Sequence, residues 1–239
     1  MKIPVARPLL PDRAAITAYL DEIDANRWYS NFGPLCLRFE ARLAERFGLA
    51  PDRLTTVSNA TVGLVVALQA ASAKPGSHCL LPSWTFSASV HAVIAAGLVP
   101  LFVDVDEQGA MTPEIARQAL TGVQAVGAAM PVAVYGQPMD PAPWERFQAE
   151  TGVPVVIDAA PGFDSARPGA LLSVVSLHAT KILGVGEGGF TKIGELPAKD
   201  LPPAVAAPPP PFADVLARIL GRKAEPKQPA ESVDEDETR

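Results

Sequence analysis

Short apolar runs alternate with amphipathic stretches along most of the 239-residue chain. Seven short β-like runs lie at Leu54–Val57, His78–Leu81, Val99–Val103, Val126–Val134, Val153–Ile157, Leu172–Leu177 and Phe190–Ile193. Their apolar residues are not confined to alternate positions, as expected of strands buried on both faces. Apolar residues at helical spacing predict helices at Val62–Ala73, Ser87–Ala96, Pro113–Leu120 and Pro143–Thr151. This alternation predicts an α/β fold in which a mostly parallel sheet is covered by helices on both faces.

Two more helices and a change of composition mark the ends of the predicted domain. Helical spacing predicts one helix over Asp12–Asn26 and another over Leu35–Phe47. Beyond Gly194 the composition shifts, because prolines crowd the stretch Pro197–Pro211 and the last residues are mainly acidic. The sequence therefore predicts one folded domain over 1–195, followed by a proline-rich linker and an acidic, disordered tail over 196–239.

Composition and charge narrow the classes of function. Hydrophobic residues make up 48% of the chain and charged residues 19%, as in a globular protein with a well-buried core. The formal net charge of −6 gives no electrostatic footprint for nucleic acid, and no apolar stretch is long enough to span a membrane. Two cysteines imply no disulfide framework and favour a reducing, cytoplasmic setting. The three scattered histidines do not have the spacing of a metal site.

Two ionisable side chains fall where predicted strands end. Asp158 directly follows the run Val153–Ile157, and Lys181 lies shortly after Leu172–Leu177. Ligands of open α/β sheets bind beyond the carboxyl ends of the strands, so both side chains are candidates for a site there. A lysine amine can bond to an aldehyde cofactor, and a carboxylate can pair with a pyridinium nitrogen. Each residue also has an ordinary interpretation, as a solvated lysine and as an aspartate that caps a loop.

Two turns between strand and helix are further candidates. Ser58–Thr61 precedes a predicted helix, and the free amides at a helix start favour a phosphate, although an ordinary N-cap explains the same residues. The pattern is neither a Walker nor a Rossmann glycine motif. Pro82–Phe86 opens the next predicted helix, where an aromatic ring can stack on a planar cofactor or pack in the core.

Together these segments resemble the DegT/StrS family of sugar-nucleotide aminotransferases, which are fold-type I enzymes that use pyridoxal 5′-phosphate (PLP). The resemblance covers about residues 7–194 and the motifs are collinear with those of the family. They are Arg27–Pro34 with Phe39 and Glu40, Ser58–Leu64, Pro82–Phe86, Val99–Asp106, Pro131–Asp140, Asp158–Ala160 and Ser176–Gly189.

The resemblance implies roles for particular residues. Lys181 would hold PLP as an internal aldimine and would move the proton during transfer of an amino group from glutamate to a keto-sugar nucleotide. Asp158 would pair with the ring nitrogen of PLP, and Phe86 would stack on the ring. The implied phosphate ligands are Ala60, Thr61 and Ser176, and the implied substrate-binding residues are Tyr29 and Asn31. The resemblance also implies a homodimer, or a complementing chain, because the family builds each site from two subunits.

Two departures from the family pattern qualify this interpretation. Pro161 stands where the family usually has Gln or His. The proline linker and acidic tail stand where the family has a small C-terminal domain, so we expect an exposed sheet face around Leu172, Val174 and Phe190. The alternative function is therefore a truncated, non-catalytic domain that binds PLP or a partner chain.

Overall fold

Seven strands and six α-helices make up the part of the chain that the computed structural model describes, residues 7–71, 73–166 and 169–192. All of these residues belong to one compact unit, Met1–Leu196. The helices are α1 (Arg13–Asn26), α2 (Pro34–Arg46), α3 (Ala60–Ala70), α4 (Ser87–Ala95), α5 (Pro113–Leu120) and α6 (Pro141–Thr151). The strands are β1 (Leu54–Val57), β2 (His78–Pro82), β3 (Val99–Val103), β4 (Val126–Ala129), β5 (Val156–Asp158), β6 (Leu172–Ser176) and β7 (Gly189–Lys192).

The strands form two hydrogen-bonded groups that are joined through single bridges. One group has the order β1-β7-β6-β5 and the other the order β3-β2-β4. Parallel bridges between Ala129 and Val155 and between Val132 and Asp158 connect β4 to β5. Among the described strands, β7 alone pairs antiparallel with both of its neighbours. The predicted mostly parallel sheet is therefore confirmed.

Helices cover both faces of the sheet, as the apolar runs predict. Alternate residues of one strand point to opposite faces, so Val155 and Ile157 pack in one buried cluster and Val156 in the other. The first cluster includes side chains of α2, α5 and α6, and the second includes side chains of α3 and α4. Every residue of β5 and β6 is buried, as expected of central strands that are covered on both faces.

One predicted strand, Val126–Val134, is too long. The strand ends at Ala129, and the chain then leaves the sheet and forms a 3₁₀ turn at Val134–Gly136. Pro131 has no amide hydrogen to donate to a ladder, which ends regular pairing there. The segment after β4 instead forms two backbone hydrogen bonds with Asp158 at the end of β5. The Asp158 amide donates to the Pro131 carbonyl at 2.9 Å, and the Ala133 amide donates to the Asp158 carbonyl at 2.9 Å.

The expected exposed sheet face is also wrong. Val174 and Phe190 are fully buried and Leu172 is 7% exposed. Side chains of α3 pack with Leu172 and Val174, and the Phe190 ring packs on Phe47, the residue that follows α2. Apolar exposure lies elsewhere, on α1, which buries no residue and exposes Ile16, Tyr19 and Leu20.

The predicted linker and tail, 196–239, lie outside the described residues, so the domain boundary near 195 stays a prediction. Among the helices that the structure describes, none has the length and apolar character needed to cross a bilayer.

Candidate active site

A cavity of about 330 Å³ lies beyond the carboxyl ends of the strands. It collects five of the predicted site residues, namely Ala60, Thr61, Phe86, Asp158 and Lys181. These residues lie at or just beyond the ends of four different strands, β1, β2, β5 and β6, as expected for a ligand site of an open α/β sheet. The other lining residues are Leu64, Trp84, Thr85, Ala88, Ser89, Val132, Ala133, Val134, Tyr135, Ala160 and Pro161.

Asp158 is the buried carboxylate of this cavity and is 4% exposed. Its Oδ2 accepts a hydrogen bond from Ser89 Oγ at 2.7 Å, and its Oδ1 accepts one from the Ala160 amide at 3.1 Å. Burial raises the pKa of the Asp158 carboxyl above its ordinary value, while these two hydrogen bonds and the charge of Lys181 oppose that rise. The two hydrogen bonds and the charge of Lys181 therefore do not fully offset the cost of burying the ionised Asp158 carboxylate.

Lys181 lies in the loop between β6 and β7 and is half-buried. The loop closes on itself, because the amides of Leu177, Ala179 and Val185 donate to carbonyls within it at 2.8–2.9 Å. Gly186 has a φ of 103°, a left-handed conformation that favours glycine and permits this closure. The Lys181 amide donates to the His178 carbonyl at 2.8 Å. These bonds fix the lysine backbone at the edge of the cavity.

The first residues of α3 form the wall of the cavity on the β1 side. Asn59 caps the helix, since its Oδ1 accepts from the Val62 amide at 2.9 Å. The first intrahelical bond runs from the Gly63 amide to the Asn59 carbonyl, so the amides of Ala60 and Thr61 precede it. The start of β7 packs against this turn, because a Cβ on Gly189 would lie 2.9 Å from the Ala60 nitrogen. A helix start held in this way favours an anionic group.

Three aromatic residues stand at the mouth of the cavity. Trp84, Phe86 and Tyr135 all line it and are 54%, 77% and 80% exposed. Tyr135 has a φ of 51°, an uncommon conformation for a residue with a side chain, within the 3₁₀ turn after Val132. Phe86, the predicted stacking residue, is thus present at the site with most of its surface uncovered in this chain.

Three predicted residues are not brought into this cavity. Ser176 is buried at the end of β6, and its Oγ accepts from the His178 amide at 3.2 Å. Tyr29 lines a separate cleft of about 270 Å³ between α1 and α2, beside Trp28 and Cys36. Asn31 lines neither space, and its carbonyl accepts from Trp28 Nε1 at 3.1 Å. The roles given to these three residues remain predictions.

Sequence reasoning missed Ser89, Thr85 and Tyr135 as site residues. Ser89 is 1% exposed and receives a hydrogen bond from Thr85 Oγ1 at 2.8 Å. The two hydroxyl residues lie four apart, with Thr85 just before the Phe86 N-cap of α4 and Ser89 in its first turn. That spacing is the signal in the sequence, but the partner carboxylate lies far along the chain.

Comparison with known proteins supports one family for this chain. Residues 11–195 match the DegT/DnrJ/EryC1/StrS aminotransferase family. The chain is 31% identical to the dTDP-4-amino-4,6-dideoxy-D-glucose transaminase of Shigella dysenteriae over 201 residues, which cover 77% of this chain and 51% of the relative. A protein from Bacillus cereus ATCC 10987, assigned as a PLP-dependent aminotransferase, has a TM-score of 0.73 and 34% identity, covering 81% of this chain and 55% of its own.

DesI, crystallised in the presence of its TDP-sugar product, has a TM-score of 0.70 and 32% identity, and the match covers 80% of this chain and 49% of DesI. The chain therefore spans about half the length of the relatives and solved structures that it matches. The predicted fold, that of a fold-type I aminotransferase large domain, is confirmed by these neighbours. The chain belongs to the DegT/DnrJ/EryC1/StrS aminotransferase family.

Proposed function

We propose that this protein binds PLP at Lys181 and takes part in amino transfer from glutamate to a keto-sugar nucleotide. The observation that carries the proposal is the meeting of Lys181 and the buried Asp158 in one cavity. The names of the relatives, such as the Shigella dysenteriae transaminase, support the sugar-nucleotide class of substrate. Because the chain spans about half of such relatives, the activity of the whole protein is part of the proposal.

The residues present fit PLP on three counts. The cavity has a volume of about 330 Å³, and small-ligand sites have volumes of roughly 300–1,000 Å³. An ionised carboxylate has about four acceptor positions, and the protein uses one on each oxygen of Asp158, so a pyridinium N–H can still be accepted. The start of α3 offers the amides of Ala60 and Thr61 to a phosphate.

Each residue has a role that follows from its chemistry. Lys181 Nζ would bind the aldehyde group of the cofactor and, when released as a free amine, would accept and return a proton. Asp158 would hold the pyridine nitrogen in its protonated form, since a positive charge there compensates the buried carboxylate. Bound PLP supplies an electron sink for carbanionic character at the carbon of the amino donor. Phe86 would cover one face of the ring and exclude water from it.

A second polypeptide completes the site in this proposal. Tyr29 and Asn31 lie apart from the main cavity, and the aromatic residues at its mouth are exposed within this chain. A second copy of the chain, or a separate chain, would cover the mouth and bring substrate-binding residues to it. Ser176, the third proposed phosphate ligand, would need its hydroxyl to reach the start of α3.

A non-catalytic, PLP-binding role is the second candidate function. It is favoured by the exposure of Trp84, Phe86 and Tyr135 at the mouth of the cavity, where a partner chain could bind. The two functions differ in turnover and share the binding site.

The test is a half-reaction with glutamate. Protein saturated with PLP is mixed with glutamate, and the 2-oxoglutarate formed per subunit is counted. We expect 2-oxoglutarate in proportion to bound PLP, and none from a Lys181→Arg variant. Bound PLP without 2-oxoglutarate would establish the non-catalytic alternative, and failure to bind PLP at all would contradict both.

A further inference from the structure

Two hydroxyl groups and a carboxylate form a directed hydrogen-bond chain in the wall of the cavity. Thr85 Oγ1 donates to Ser89 Oγ at 2.8 Å, and Ser89 Oγ donates to Asp158 Oδ2 at 2.7 Å. Ser89 is 1% exposed, and its amide donates to the Phe86 carbonyl at 3.0 Å, which fixes it in the first turn of α4. All three side chains line the cavity.

The direction of this chain is set by proton counting. A serine hydroxyl carries one hydrogen, so Ser89 can donate to Asp158 only while Asp158 Oδ2 is free of a proton. Thr85 then gives its own hydrogen to Ser89, which aligns both hydroxyl dipoles toward the carboxylate. Aligned hydrogen bonds polarise one another in a buried setting, so Thr85 strengthens the bond that Ser89 makes.

The chain also restricts rotation of the carboxylate. Ser89 holds Oδ2, and the Ala160 amide holds Oδ1 at 3.1 Å. With one donor on each oxygen, the carboxylate plane cannot turn without breaking a bond. The remaining acceptor positions are those left for a donor in the cavity. Among the described residues that line the cavity, Lys181 is the other charged group, and its charge favours the ionised form of Asp158.

We propose that Ser89, oriented by Thr85, is a positioning residue that keeps the Asp158 carboxylate ionised and fixes its plane toward the cavity. One part of this inference rests on the proposed function, namely that the group in contact with Asp158 is the pyridine nitrogen of PLP. The hydrogen-bond chain itself belongs to the protein without its cofactor. Ser89 and Thr85 act through Asp158 and do not take part in the chemistry.

The first test uses the full-length protein without PLP. The Asp158 carboxyl is followed by carbon NMR of aspartate-labelled protein, and its signal is assigned by its loss in Asp158→Asn. We expect Ser89→Ala to move the titration midpoint up by about one pH unit, the size expected for a lost hydrogen bond to a charged group. Thr85→Val, which keeps the shape of the side chain, is expected to move it in the same direction by less.

Two further variants make this test specific. Ser89→Thr keeps the hydroxyl and is expected to restore the midpoint of the parent. Ser87→Ala removes an exposed hydroxyl from the same helix, two residues away, and is expected to leave the midpoint unchanged. An unchanged midpoint in both Ser89→Ala and Thr85→Val would overturn the proposal, whether or not the protein binds PLP.

The second test adds PLP and separates this inference from the proposed function. In Ser89→Ala, the rate of the glutamate half-reaction at saturating glutamate is expected to fall about tenfold while the glutamate KM stays unchanged, because Asp158 does not contact the donor. Equal rates in parent and variant would overturn the positioning role. Absence of PLP binding by the parent would instead overturn the proposed function, and the NMR midpoints would still decide the role of Ser89.

Discussion

The charge of Lys181 acts on the buried carboxyl of Asp158 and favours its ionised form, since both side chains line one cavity. Asp158 is the last residue of β5 and Lys181 follows β6, and these neighbouring strands pair in parallel. Parallel pairing brings the carboxyl ends of both strands to the same edge of the sheet. The sheet topology therefore places an amine and a buried acid together, and burial of the acid makes it responsive to any positive charge that enters.

Asp158→Asn is expected to separate function from stability. Burial raises the pKa of Asp158 in the folded protein above the pKa of about 4 that it has in the unfolded chain. The folded protein without cofactor therefore loses stability as the pH rises from the lower of these two pKa values through the higher. The amide has no such loss, so the Tm of the variant relative to the parent should increase with pH over this window. The same variant lacks the charge that holds a pyridinium, so the glutamate half-reaction should fall by orders of magnitude.

Thermal unfolding at a series of pH values and a half-reaction assay check both parts. A Tm difference that does not change with pH would contradict the stability argument. Equal half-reaction rates in Asp158→Asn and the parent would contradict the role of the carboxylate.

Lys192→Met is expected to remove a rise of stability with pH that the parent protein shows at alkaline pH. Lys192 is 3% exposed, and burial lowers its pKa to about 8. The unfolded chain keeps this proton up to about pH 10.4, so the stability of the parent should rise between about pH 8 and 10.4. Methionine does not titrate, so the stability of Lys192→Met should stay nearly level across this range of pH.

Urea unfolding of Lys192→Met at pH 7 and pH 10 tests this expectation. The variant should lack most of the rise that the parent shows between these values. A rise of the same size in both proteins would show that Lys192 keeps its ordinary titration in the fold.

Gly189→Ala is expected to destabilise the fold by about 1–3 kcal/mol, since the new methyl would meet backbone atoms of the α3 start and of β6. The nearest are the Ala60 nitrogen at 2.9 Å and the Val175 oxygen at 3.0 Å. Gly122→Ala is the matched control, because a Cβ there has no neighbour within 4 Å. The urea midpoints of the two variants test this prediction. Equal midpoints would mean that the backbone at the start of α3 shifts to accept the new methyl group at little cost in stability.

The exposed aromatic mouth predicts association of the chain with itself. Trp84, Phe86 and Tyr135 are each more than half exposed, and an apolar group of this kind is typical of an interaction surface. We expect a dimer in sedimentation velocity at micromolar concentration, and a shift toward monomer in Tyr135→Ser. A monomer at all concentrations would favour a separate complementing chain.

The hydrophobic pattern predicts the elements well where local signals agree. The predicted bounds of β1, β3 and α5 match the structure at both ends, and α5 has a Thr112 cap and a proline at its first position. The pattern fails at Val126–Val134, where Pro131 is apolar but cannot complete a ladder. Strand order is also beyond the pattern, because β7 lies between β6 and β1 through pairing that no local sequence encodes.

Some residues of the candidate site are also predictable from the sequence, and others are not. Asp158 and Lys181 are predictable because each follows an apolar strand, where ligands of such sheets bind. Ser89 is not, since its carboxylate partner lies 69 residues away and only the folded sheet brings them to 2.7 Å. Tyr135 is missed because a strand was predicted through Val134, and the turn that presents its ring arises only where that strand stops.

Mapping the attachment site of PLP tests the central claim most directly. The protein is saturated with PLP, reduced with borohydride and digested, and the peptides are analysed by mass spectrometry. We expect the pyridoxyl group on Lys181, unchanged in a control Lys74→Ala variant that removes an exposed lysine outside the cavity, and lost in Lys181→Ala. A pyridoxyl group on another lysine, or on none at saturating PLP, would contradict the account.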